Sequence, residues 1–141
     1  MRTQKNTSLY DKDFYKWSID QAALLKKGAY SSADIDNIIE EIESLGRREK
    51  NEAESYLVNL LMHLLKQKYQ PEKETNSWRR SISNARTKLA IRFDSLSLKN
   101  KIKSRLSDCY NLARKKAAVE TRLPLETFPK ECPWSFEEVI N

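Results

Sequence analysis

Apolar residues recur at three- and four-residue spacing through most of the chain, the signature of amphipathic helices. Ser8 with Asp11 three residues later reads as a helix start, because a hydroxyl and a carboxylate can satisfy free amides of a first turn. Tyr10, Phe14, Trp17, Leu24 and Leu25 then share a helical spacing, and Gly28 supplies a stop. Ser31 and Asp34 repeat the start signal. Ile35, Ile38, Ile39, Ile42 and Leu45 follow as a narrow apolar stripe, with Glu40, Glu41 and Glu43 outside it.

Helical character continues past Gly46 to Tyr69, and Pro71 ends it. Unbroken, residues 35–70 would extend about 54 Å. A compact chain of this length has a radius of gyration of only about 14 Å, so the helix either kinks or turns near Gly46, which is the expectation, or projects and invites a partner. From Leu57 to Leu65 the apolar positions cover more than half of the helix circumference, as in the buried centre of a bundle. The remaining stripe is polar and carries Glu52, Tyr56, Asn59, His63, Lys66, Gln67 and Gln70.

A third helix starts near Asn76 and keeps Trp78, Ile82, Ala85, Leu89, Phe93 and Leu96 in phase. A fourth uses Leu98, Ile102, Leu106, Cys109, Ala113 and Ala117. Beyond Leu123 the periodicity stops. Pro124, Pro129 and Pro133 mark an extended segment, Trp134 and Phe136 are expected to clamp it, and Ser135 with Glu138 caps a last short helix. The expectation is an all-α, single-domain bundle of four to five helices with an extended, Pro-containing C-terminal tail. Residues 1–8 would form a disordered N-terminal tail and 9–141 the helical domain.

Composition agrees with this class. Only 2 Gly and 4 Pro in 141 residues are too few for the frequent turns of a β-sandwich or barrel. Hydrophobic residues at 39% and charged residues at 33% suit a folded domain and no membrane span. The N-terminus lacks the apolar run of a signal peptide, so the expected location is the cytoplasm. The net charge of +6 is uneven: residues 1–30 carry +3, 31–58 carry −5, 59–117 carry +11 and 118–141 carry −3. An anionic partner would be drawn to the basic centre, or the blocks would cancel within one folded body.

Candidate chemistry is sparse. Glu40, Glu41, Glu43 and the single His63 are the one set that suggests acid–base or metal work, yet no Glu-x-x-His is present and the spacing is long. The competing reading pairs Glu43 with Arg47 and lets His63 hydrogen-bond within its polar stripe. Cys109 and Cys132 form no metal-ligand spacing and read as buried reduced thiols. No phosphate-binding glycine loop occurs, and no metal or cofactor is implied. Arg79, Arg80 and Arg86 on the third helix, with Lys101, Lys103 and Arg105 on the fourth, are the candidate contacts to an anion or nucleic acid. Cations crowding a helix start oppose its dipole, a cost that a bound phosphate relieves. No helix-turn-helix, zinc or base-stacking signature accompanies them.

Seven blocks together resemble a known family. They are Asp13-Phe14-Tyr15-x-Trp17, Ile38 through Arg47, Leu60 through Lys66, Tyr69-Gln70-Pro71-Glu72, Ser77-Trp78-Arg79-x-x-Ile82, Glu120-Thr121-x-Leu123-Pro124 and Phe128-Pro129-x-x-Cys132-Pro133. In order and spacing they resemble the bacterial family catalogued as domain of unknown function 29, over roughly residues 9–140. The resemblance implies a small helical domain without an established activity. It also implies that the basic run Lys99–Arg105 belongs to this member rather than to a shared function. The family-like polar residues are Glu40, Glu43, Arg47, His63, Lys66 and Arg79, which form either an internal ion-pair network or a site.

Three functions remain open at this point. The first is a non-enzymatic helical interaction module that dimerises through the helix passing Gly46 or binds a protein partner. The second is an anion or nucleic-acid binder working through the basic cluster. The third is a hydrolytic or metal-dependent enzyme built on Glu40, Glu43 and His63.

Overall fold

The computed structural model describes residues 8–141, so the expected N-terminal tail falls outside the described residues apart from Ser8. Seven α-helices and three short 3-10 turns make up the regular structure, and no strand occurs among the described residues. The helices are α1 (Leu9–Lys12), α2 (Phe14–Lys26), α3 (Ile35–Tyr69), α4 (Asn76–Arg92), α5 (Leu96–Ser104), α6 (Leu106–Thr121) and α7 (Phe136–Ile140). Seven therefore replace the four to five expected.

Two single-residue breaks account for the difference. Asp13 adopts φ −149 and ψ 81, and its side chain accepts a hydrogen bond from the Lys16 amide. That closes α1 and caps α2, where periodicity predicts one helix. Arg105 (φ −99, ψ 6) likewise separates α5 from α6. A break of one residue leaves the apolar phase almost unchanged, so spacing does not reveal it. No turn interrupts the helix at Gly46. Gly46 lacks a positive φ, unlike Gly28 at φ 74, and α3 runs through it for 35 residues.

Contacts divide the chain into two compact units, Met1–Arg47 and Arg48–Asn141. In the first, α1, α2 and the start of α3 gather around Trp17, the one buried side chain among its described residues. Tyr10 and Phe14 pack on Trp17 at centroid distances of 4.8 and 5.4 Å. The indole Nε1 donates to Asp34 Oδ2 at 3.0 Å.

The second unit holds the core. Ala53, Leu57, Leu60, Leu61 and Leu65 of α3 meet Ile82, Ala85 and Leu89 of α4, Ile102 of α5, and Tyr110, Ala113 and Ala117 of α6. Fully buried alanines on α3 and α6 leave helix surfaces without bulk at those positions, which favours close packing. The C-terminal segment closes this core with Phe128, Phe136 and Val139, each nearly inaccessible. Tyr110 Oη donates to the Pro129 carbonyl at 2.6 Å, and Arg114 Nε to the Phe128 carbonyl at 3.0 Å. Ser135 and Glu138 form the full capping box at the start of α7. No helix among the described residues is long and apolar enough to cross a membrane.

Candidate interaction surface

The first unit exposes what a core would bury. Leu9, Phe14, Tyr15, Ile19, Tyr30, Ile35, Ile39, Ile42 and Leu45 are all exposed; among the described residues the second, larger unit exposes only four large hydrophobics. Ile42 at 63% and Leu45 at 58% lie on the narrow apolar stripe read from the sequence. Scattered exposed apolar side chains are ordinary, and it is a contiguous apolar patch that distinguishes an interaction site.

Polar residues around that stripe are used internally. Glu40 Oε2 accepts from Arg47 Nη2 at 2.8 Å, and the same nitrogen donates to Ser44 at 2.9 Å. The expected Glu43–Arg47 pair is therefore replaced by Glu40–Arg47. Tyr10 Oη donates to Glu41, and that bond, with partial burial and the charge of Glu41, pushes the phenol up to about 12.

The other members of the expected polar site, His63 and Lys66, lie in the second unit and find their partners there. His63 Nδ1 sits 2.9 Å from the Asn59 carbonyl one turn earlier. Buried Lys66 places Nζ 2.9 Å from Glu120 Oε1 and 4.6 Å from the centroid of Trp78. Gln70 Nε2 reaches the Thr121 carbonyl at 3.2 Å. These three buried side chains thus each have an observed partner, as satisfied structural groups do, whereas the buried Arg92 Nε has no hydrogen-bond partner among the described residues. No cluster of three or more His, Cys, Asp or Glu side chains suited to a metal ion occurs among the described residues.

Four of the six cations assigned to an anion are committed elsewhere. Arg79 pairs with Glu74 at 2.9 Å, Arg86 Nε donates to the Val139 carbonyl at 2.9 Å, and Lys103 meets Glu137 at 3.4 Å. Arg105 bridges Glu54 at 3.0 Å and Asp108 at 2.6 Å. The side chains of Arg80 and Lys101 show no ion pair or hydrogen bond among the described residues, although the Lys101 carbonyl accepts from Ser104 Oγ at 2.6 Å. Arg79 and Arg86 do line one shallow hollow with Gln67, Ser83 and Thr87.

Glu54 is the charge the sequence reading missed. Burial raises its proton affinity, but hydrogen bonds from Lys50 and Arg105 outweigh burial and hold the carboxyl below its ordinary value of 4.5. A depressed carboxyl stabilises the fold above its unfolded pKa, and that contribution is lost as pH falls through the folded value. Glu54→Gln should cost about 2 kcal/mol at pH 7 and flatten the stability curve below pH 4.5. Urea midpoints at several pH values check both. The Lys50–Glu54 spacing of four was readable in the sequence, but Arg105 lies 51 residues away.

Both thiols are free. Burial, then the nearby Glu54 charge, pushes Cys109 up to about 11, and burial raises Cys132 as well. Neither has the environment of a nucleophile at neutral pH. A second-unit groove of about 710 Å³ runs between α3 and α6, floored by Val58, Met62, Leu112 and Val119 and rimmed by Lys115 and Lys116.

A family model described as "Domain of unknown function DUF29" matches residues 9–141, nearly the whole chain. No curated protein and no solved structure matches the chain.

Proposed function

The chain belongs to the DUF29 family, and on that premise we propose that it is a non-enzymatic protein-interaction module. The observation that carries the reading is the first unit, with one buried side chain and nine exposed large hydrophobics among its described residues. At about 25 cal/mol per Å² of apolar surface removed from water, covering several such side chains is a substantial driving force for association. The buried polar groups favour the same reading, since Lys66, His63 and Gln70 are satisfied within the fold rather than aimed at a substrate. In a native extract the chain should run in particles larger than its own 16.6 kDa. Ile39→Glu with Ile42→Glu should return it to that mass with unchanged helicity. A wild-type chain at 16.6 kDa throughout overturns the proposal.

Anion binding is the second reading, favoured by the hollow holding Arg79 and Arg86. Six phosphate contacts would lose about a thousandfold in affinity between 50 and 200 mM salt, and two would lose about tenfold. With Arg80 and Lys101 the uncommitted pair, nucleic-acid affinity should be weak and show the shallower slope. Anisotropy titration with labelled single- and double-stranded nucleic acid measures it.

A further inference from the structure

We propose that the partner of the exposed α3 stripe is a second copy of this chain, packed antiparallel across residues 35–46. This rests on the interaction reading above and names its occupant.

Three observations on α3 point to it. Ile35, Ile39, Ile42 and Gly46 are exposed and separated by four, three and four residues. That series reads the same from either end. An antiparallel copy therefore falls into register about its midpoint, Ile35 meeting Gly46 and Ile39 meeting Ile42. An isologous two-fold contact requires this self-complementarity.

Gly46 is the second observation. Glycine weakens a helix interior relative to alanine, through backbone entropy and lost side-chain packing. At Gly46 φ is not positive, and a Cβ would meet nothing within 4 Å. Among the described residues nothing uses the missing side chain. A second helix approaching at close range does, because its Ile35 seats where a Cβ would stand.

Charge is the third. Asp34 and Asp36 stand at the start of the stripe and Arg47 and Arg48 follow it, while Glu40, Glu41 and Glu43 lie nearer its midpoint, Glu40 bonded by Arg47 and Glu41 by Tyr10. Parallel pairing would stack the acidic turns of two copies side by side. Antiparallel pairing carries the Arg47–Arg48 end of each copy to the Asp34–Asp36 end of the other, which steers and orients the encounter. Arg47 bonds Glu40 and Ser44 through Nη2, so its other guanidinium nitrogens can serve a second carboxylate.

Sedimentation of the full chain between about 1 and 100 μM, spanning ordinary dimer affinities, should show a monomer–dimer equilibrium. Gly46→Ala is the decisive variant. It should keep or raise helicity and thermal stability of the monomer while weakening the dimer about tenfold, because a methyl overfills the close approach. Ile42→Glu should weaken it further, since two-fold symmetry makes each substitution occur twice. Ile91→Glu, exposed in the second unit, should leave it unchanged. Mixed Asp36→Cys and Arg47→Cys chains should cross-link to each other under mild oxidation, the poorly ionised Cys109 and Cys132 competing little.

A chain that stays monomeric at 100 μM overturns the proposal. If that monomer still enters larger particles in extract through Ile39 and Ile42, the interaction reading survives with a different partner; if it does not, both fail. Cross-links confined to Asp36–Asp36 and Arg47–Arg47 pairs give a parallel dimer and overturn the antiparallel arrangement. A Gly46→Ala dimer as tight as wild type also contradicts it.

Discussion

Phe128→Ala is expected to destabilise the second unit by about 4 kcal/mol, the range for deleting a buried aromatic. Phe128 is 1% exposed and packs edge-to-face on Tyr69 at 5.4 Å. Its own carbonyl accepts from Arg114, and the next carbonyl accepts from Tyr110. Losing the ring therefore removes both a core side chain and the anchor that aligns two backbone hydrogen bonds. In thermal unfolding the loss should appear as a fall of about 10 °C in Tm for a chain of this size. Tyr110→Phe, which keeps the ring and drops one bond, should cost only about 1 kcal/mol. Equal losses from the two would mean that the C-terminal segment is held by its hydrogen bonds rather than by its ring.

The second large effect separates a structural lysine from a functional one. Lys66 is buried with its ammonium against Glu120 and the face of Trp78. Glu120→Gln leaves that ammonium without its counter-charge and should cost about 2 kcal/mol, discounted from the fully buried case because Glu120 is half exposed. Lys66→Met removes the charge itself and fills the same space, so it should fall within about 1 kcal/mol of wild type. Met also retains a favourable contact with the indole. Urea unfolding of both variants measures the contrast. A strongly destabilised Lys66→Met would show that the ion pair contributes more than the desolvation it requires.

Helix positions were largely legible in the sequence because apolar periodicity and capping residues point the same way at Ser8, Ser135 and Gly28. The breaks at Asp13 and Arg105 were not, since each shifts the chain by one residue while Tyr10, Phe14 and Trp17, or Leu98, Ile102 and Leu106, stay in phase. Periodicity also failed to separate covered from uncovered faces. The series Ile35, Ile39, Ile42 and the series Ala53, Leu57, Leu60 share one four-three spacing, yet the first is exposed and the second fully buried. Spacing records which residues can share a face; the burial of that face depends on segments distant in sequence. Phe128 lies in an extended stretch without periodicity, so its place in the core had no local signal. The basic run was visible as charge, but its partners Glu54, Glu74 and Glu137 come together only in the fold.

On the proposed function, the apolar side chains of the first unit are covered in the working state. Hydroxyl-radical footprinting of the full chain, in dilute solution and in its assembled form, tests it directly. Phe14, Tyr15, Ile39, Ile42 and Leu45 should label readily when dilute and become protected on assembly, while Ile91 and Val119, comparably exposed in the second unit, keep their reactivity. Unchanged labelling of Ile39, Ile42 and Leu45 in the assembled form would contradict the claim.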